Sequence, residues 1–314
     1  MRTHRTTAAA AFTLAFMGWG SLCSAAETAA FLKVAPGARP VAMGEAFTAV
    51  ADDLNALSWN PAGMALLGRK EAAFMHAELF EDTRYDFIGY GHPLSAGALG
   101  TLGFGFARLS QGSIEARTED RRPAGSFEAS DTLLQAAYAR RLAGSGPLLG
   151  ISVKYLNSSL AGVSAQSAAL DFGLLLERNV RSVPLSLGFS VMNLGPGMRF
   201  LNQTDELPLA VSLGAGVRVL SSLRLAADFR HRPRSGESRF GLGTEYMVLP
   251  ALTLRAGYST LAASGLASDA TADKAFNGLG MGLGLRMGRV GLDYAFTPAG
   301  ELGTAQRFSL STKF

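Results

Sequence analysis

Apolar and polar residues alternate strictly along most of this chain, in runs of about ten residues separated by breaks. In the run 290–296, Val290, Leu292, Tyr294 and Phe296 share one parity, and Gly291, Asp293 and Ala295 share the other. Leu149, Ile151, Val153 and Tyr155 alternate in the same way with Gly150, Ser152 and Lys154. Leu279, Met281, Leu283 and Leu285 do so with Gly280, Gly282, Gly284 and Arg286. A period of two is the signature of a strand with one apolar face. The pattern predicts fourteen strands, at about 70–80, 83–92, 98–109, 131–142, 147–157, 165–177, 183–193, 208–219, 222–231, 238–248, 251–260, 277–287, 289–297 and 305–314. Short connections (144–146, 179–182, 221–222, 250, 288) alternate with longer ones (111–130, 195–207, 232–237, 261–276). Strands of a soluble sandwich average about five or six residues. About ten residues is the length that crosses a bilayer at a tilt. The fold class expected is all-β: a fourteen-stranded antiparallel transmembrane barrel at 69–314, with short turns at one end and longer loops at the other. An even strand count puts both ends of the barrel chain on the short-turn side, which would be periplasmic.

Residues 27–68 break the pattern. They hold Pro36, Pro40 and Pro61, and a helix-like piece from Met43 to Ala51 before Asp52 and Asp53. This segment is expected to be a small N-terminal plug outside the strand count. The first 26 residues read as a secretory signal. Arg2 and Arg5 precede an apolar core from Ala8 to Gly18, and small residues at Cys23 and Ala25 set a cut after Ala25. Cys23 is the sole cysteine, so the exported chain would carry no disulfide. Without Arg2 and Arg5, the 29 basic residues fall to 27 against 25 acids, a net charge of +2 that gives no case for nucleic acid. No apolar run after the signal is long enough for a transmembrane helix.

The polar parity of the strands carries charges of both signs: Lys154, Asp171, Glu177, Arg218, Arg224, Asp228, Arg230, Glu245, Arg255, Arg286 and Asp293. An Arg or Lys facing lipid at the midplane costs about 2–4 kcal/mol, so these must face the lumen. Mixed signs favour a salt-bridge filling over a selective conduit. In the plug, Asn60 before Pro61, with Gly63 beyond, suits a tight turn. Arg39 is placed to pair with an acid inside the barrel. Asp52 and Asp53 lack the further oxygen ligands of a calcium site. No cofactor, metal or catalytic residue is expected.

Three stretches together resemble the N-terminal signature of the PorV/PorQ family, a branch of the FadL-like outer-membrane barrels. They are Phe31-Leu32-Lys33-Val34-Ala35-Pro36-Gly37-Ala38-Arg39, then Met43-Gly44-Glu45-Ala46-Phe47-Thr48-Ala49-Val50-Ala51-Asp52-Asp53, then Trp59-Asn60-Pro61-Ala62-Gly63-Met64. The resemblance implies a fourteen-stranded barrel with an N-terminal segment folded into its periplasmic mouth. It also implies a secretion or surface-protein partner, or an associated transport role. The C-terminus resembles an outer-membrane assembly signal: Phe308, Leu310 and Phe314 share one face, with Thr312 where an apolar residue is usual. That resemblance implies the barrel-assembly machinery as a partner during biogenesis, and outer-membrane lipid as the solvent.

Three functions are weighed. The first is a non-enzymatic barrel of the PorV/PorQ type serving export or surface assembly. The second is a FadL-like passive channel for small hydrophobic compounds, which requires a greasy passage or a lateral break in the wall. The third, a hydrolase in the wall, requires a serine and a histidine in contact on the lipid face. His76, His92 and His231 fall on separate strands, and no serine can be assigned to His76.

Overall fold

Every period-two run becomes a strand. In the computed structural model the described residues are 28–34, 36–79, 82–117, 120, 122–262, 278–298 and 304–314. The expected signal segment, 1–26, lies outside them. Strands β1 (Glu71–Glu78), β2 (Thr83–Pro93), β3 (Thr101–Arg117), β4 (Pro123–Arg141), β5 (Leu148–Leu160), β6 (Val163–Val180) and β7 (Val183–Leu194) form the first half. A small hairpin of β8 (Met198–Phe200) and β9 (Gln203–Asp205) follows. The second half is β10 (Ala210–Leu220), β11 (Leu223–Arg232), β12 (Glu237–Leu249), β13 (Leu252–Ala262), β14 (Leu279–Met287), β15 (Val290–Pro298) and β16 (Thr304–Lys313). Fourteen of these strands close into one antiparallel barrel, sealed where β1 pairs with β16, while β8 and β9 pair only with each other.

The large apolar side chains of the strands point outward and stay exposed. Leu310, Phe74, Ile88, Phe106, Leu134 and Tyr155 are successive cross-strand neighbours on that face. Ile88 is 53% and Leu134 51% exposed. A water-facing surface does not carry a continuous girdle of this kind. One pleat nearer the long loops, the same strands present Phe308, His76, Asp86, Arg108, Thr132 and Asn157. The change from apolar to polar within a single row marks the bilayer edge on that side.

Two expectations are corrected here. The stretch 111–130 is largely strand rather than loop, because β3 and β4 run for 17 and 19 residues. Beyond the bilayer edge both faces meet water, so the ladder continues without an apolar period that could reveal it. The helix is not Met43–Ala51 but α1 (Ala38–Ala42), with a single turn α2 at Ala56–Trp59. Gly44 and Glu45 follow α1 at φ 59° and 63°, a left-handed pair that ends it.

The N-terminal segment threads the lumen. The amide of Thr28 donates to the carbonyl of Glu206 in the connection between β7 and β10, at the long-loop end. By Lys70 the chain has reached the opposite end, where the Phe314 amide donates to the Lys70 carbonyl. The segment therefore spans the barrel from end to end. It does not merely fold into the short-turn mouth, and its described start is not on that side.

Candidate functional site: the plugged lumen

The plug is apolar at its centre. Met43, Phe47, Leu54, Leu57, Trp59 and Met64 are buried completely or nearly so, and they pack on inward residues such as Met75, Tyr85, Phe87 and Leu133. The lumen is thus filled mainly by a hydrophobic core, which corrects the expectation of a salt-bridge filling. Small residues of the wall let the plug backbone lie flush against the sheet. A Cβ at Gly150 would stand 2.3 Å from the Ala62 nitrogen, and one at Gly257 would stand 2.1 Å from the Met43 carbonyl carbon.

Polar groups of the wall satisfy the plug backbone, which water cannot reach. Asp228 Oδ2 accepts from the amides of Phe47 (2.9 Å) and Thr48 (2.7 Å). Ser309 Oγ accepts from the Ala38 amide at 3.0 Å, and Gln135 donates to the Leu57 carbonyl at 2.5 Å. Asn60 bridges in the other sense, donating to Thr48 and to Leu174 of the wall at 2.8 and 3.1 Å. Its Oδ1 accepts from Ala62, capping the short turn that contains Pro61 and Gly63.

Apart from Asp228 on the plug amides, Arg230, which reaches Glu45 of the plug at 3.4 Å, and Glu177, which pairs with Arg141 near the short turns, the lumen charges fall into three groups. The first is a latch between plug and wall. Arg39 Nη1 reaches Asp52 (2.5 Å) and Asp53 (2.7 Å), while its Nε and Nη2 hold both oxygens of Glu245 at 2.8 and 3.0 Å. Arg224 reaches Asp52 at 2.8 Å, and Arg255 joins Glu245 (2.8 Å) to Asp293 (2.6 Å). Burial alone would lower the pKa of Arg39, but Asp52, Glu245 and Asp53 outweigh it and raise it well above its ordinary value. Burial would likewise raise the Asp52 carboxyl, yet Arg39 and Arg224 hold it far below the usual carboxylate range. The guanidinium of Arg39 also lies 5.2 Å from the Phe47 ring centroid, and that of Arg230 lies 4.5 Å from Trp59.

The second group pins an irregularity in the wall. Between β6 and β7 the register slips from Leu170↔Leu194 to Phe172↔Val191, so Asp171 faces two residues, Met192 and Asn193. Asn193 takes φ 63°, and its amide donates to Asp171 Oδ1 at 2.8 Å. Lys154 is 3.0 Å from the fully buried Asp171 and 2.8 Å from Asn193 Oδ1. β7 then ends at Leu194, so residues 163–169 of β6 have no β7 partner and meet the β8–β9 hairpin instead. Beneath lies a cavity of about 50 Å³, lined by Phe31, Val34, Tyr85, Leu133, Met192 and Lys154 among others. The third group, Arg218 and Arg286, makes no ion pair among the described residues. Both line a cavity of about 500 Å³ at the short-turn mouth, whose inner wall is the latch.

Ser309 and Gln135 anchor the plug beside the charges and were not among the residues expected from the sequence. Both lie on the inward parity, and their lack of charge hid them. On the outward face, His76 Nδ1 is 2.7 Å from Asp86, with Phe308 as its other cross-strand neighbour. His231 and Ser238 do meet on that face, at 2.8 Å. No carboxylate fixes the His231 ring among the described contacts, and neighbouring amides are engaged in the ladder with β10, β12 and β13. The pair therefore lacks the orienting group and oxyanion donors of a hydrolase. The described residues also hold no cluster of His, Cys, Asp and Glu suited to a metal ion.

The model of an uncharacterised protein family, UPF0164, matches residues 6–156, just under half of the chain. No curated protein matches the chain. Among solved structures, the fold is similar to the toluene transporter TodX of P. putida, at TM-score 0.58 and 15% identity over 89% of this chain and 98% of that one. A deltaS2S3 mutant of the TodX monoaromatic hydrocarbon channel gives TM-score 0.59 at 15% identity, over 89% of this chain and 99% of that one. These likenesses establish a shared barrel fold that extends over nearly the whole of both chains.

Proposed function

We propose that this protein is an outer-membrane barrel that passes small hydrophobic compounds across the lipid barrier without an open water pore. The observation that carries the reading is the plugged fourteen-stranded barrel, whose fold matches a toluene transporter over nearly the full length of each chain. The buried apolar plug across the lumen argues against an aqueous channel in this state. The wall is least complete where β7 stops and the β8–β9 hairpin takes its place beside β6, next to the cavity lined by Phe31, Tyr85, Leu133 and Met192 together with Lys154, Asn193, Arg230 and Arg232. At about 50 Å³ that cavity is too small for an aromatic ring, since a dry cavity of about 150 Å³ is what accepts benzene. Passage therefore needs the hairpin or the segment 28–34 to shift.

The experiment is to soak crystals of the detergent-solubilised protein with bromobenzene and locate the bromine by anomalous scattering. A site between Phe31, Tyr85, Leu133 and Met192 supports the reading; bromine found only on the outer face overturns it.

The sealed lumen also favours a second reading, a non-conducting barrel of the PorV/PorQ type that serves export through a partner. That reading expects a stoichiometric partner to co-purify in mild detergent, and recovery of the barrel alone counts against it.

A further inference from the structure

The short-turn end of the barrel is strongly and one-sidedly basic. Arg69 and Lys70 precede β1, Arg140 is the penultimate residue of β4, Arg178 lies two residues before the end of β6, Arg181 sits in the β6–β7 turn and Arg289 in the β14–β15 turn. All six side chains are exposed. Among the described strand ends and turns on this side, the acids are Glu71 and Glu177. Both are already paired, Glu71 with Lys313 at 3.3 Å and Glu177 with Arg141 at 2.5 Å. Arg178 donates only to carbonyls, those of Ser145 and Glu177. Among the described residues no ion pair satisfies any of the six. The long-loop end differs in carrying acids beside its bases, among them Glu78, Asp86, Asp205, Glu206 and Glu237; there Arg232 and Arg239 pair with Glu237, and Arg234 pairs with Glu206.

The position of these cations relative to the apolar band identifies what they face. Tyr90, Tyr138 and Tyr246 point outward on β2, β4 and β12, each three residues before its strand ends at Pro93, Arg141 and Leu249. Tyr90 also stacks on Phe314, their centroids 6.4 Å apart. Outward tyrosines at such a level sit among lipid headgroups. Arg140 and Arg178 share the outward parity of their strands, and the turn residues lie immediately beyond. The ring therefore falls at the depth of the phosphates, below the aromatic girdle. A cation there attracts anionic lipid and is otherwise left without a counter-charge.

We infer that this ring is a binding surface for anionic phospholipid headgroups in the leaflet at the short-turn end. It would fix the height and tilt of the barrel and gather a shell of acidic lipid around the mouth. The inference rests on the proposed membrane-spanning reading, but not on the passage of any compound.

The test reconstitutes the full chain in phosphatidylcholine vesicles and compares spin-labelled phosphatidylglycerol with spin-labelled phosphatidylcholine in the motionally restricted lipid shell. The wild type should enrich the anionic label by about threefold, and raising the salt should shrink that enrichment, because screening shortens the reach of exposed charges. The variant R140Q/R178Q/R181Q/R289Q, which keeps only Arg69 and Lys70 of the six, should remove most of the enrichment. The variant R218Q/R286Q, which changes inward-facing arginines, should keep the enrichment. Should the quadruple variant not fold, the salt titration of the wild type and the pair R140Q/R289Q carry the test. Insertion with no preference for the anionic label overturns the inference and leaves the barrel reading intact. A preference lost in R218Q/R286Q instead places the anion site in the mouth and also overturns it. A chain that restricts no lipid sinks both readings. Binding of soluble polyglutamate without any lipid preference points to an acidic protein and overturns it as well.

Discussion

Arg39 joins plug to wall more directly than any other described residue, because one guanidinium engages three carboxylates on two separate elements. Replacing it with alanine leaves Asp52 with Arg224, Glu245 with Arg255 and Arg224, and Asp53 with no cation in contact, all in a region of limited solvent access, so the cost lies at or below that of a wholly unpaired charge. Removing one partner of a buried ion pair costs roughly 3–5 kcal/mol. Arg39→Ala should therefore lower the unfolding free energy in detergent by up to about that much, and a loss under about 1 kcal/mol would contradict the latch. The pH response follows from the same contacts. The Asp52 carboxyl titrates below its unfolded value, so its contribution is fully present above that value and is lost as pH falls through the depressed one. The stability difference between the wild type and Arg39→Ala should hold steady from about pH 8 to about pH 5 and shrink only below about pH 4. On the outer face, Ser238 and His231 touch without an orienting acid. The protein should hydrolyse short-chain esters no faster than Ser238→Ala does; a rate abolished by that change would assign the pair a catalytic role.

At the level of elements, the fit between plug and sheet depends on wall positions that carry no side chain. Gly257→Val would press its side chain against Met43 and Gly44, whose backbone atoms lie within 2.1–2.2 Å of a Cβ there. The expected outcome is a displaced plug, seen as new tryptic cleavage after Lys33 and a measurable ion current in planar bilayers where the wild type has none. Unchanged proteolysis and a silent bilayer would show that the plug tolerates the intrusion. The strands themselves were legible because lipid on one side and a packed lumen on the other impose a period of two, as in Leu279 to Leu285. The β8–β9 hairpin was not, since three-residue strands are too short to display a period. The outer halves of β3 and β4 were hidden for another reason: water on both faces removes the apolar contrast. The path of the plug was also unreadable. Its contacts, such as Asp228 to Phe47 and Thr48, join residues about 180 positions apart through backbone amides that any sequence would supply. Arg39 could be foreseen as an ion-pair partner, but not which of many inward acids it would choose.

The whole molecule is a membrane barrel closed by its own N-terminal segment, apolar at the core and latched by charge toward the short-turn mouth. That arrangement reconciles the greasy outer surface and mixed inner charges with the lack of an open pore. It also sets what transport would require, namely a local shift beside β7 rather than removal of the plug. Filling the cavity there with Met192→Trp should block passage while leaving the latch and the barrel intact. The decisive measurement is the initial rate at which cells take up a small aromatic hydrocarbon, compared with this chain present, absent or carrying Met192→Trp in the outer membrane. The account predicts a rate that rises with the wild-type chain and returns to the level of cells without it in Met192→Trp. Equal rates with and without the wild-type chain would contradict it.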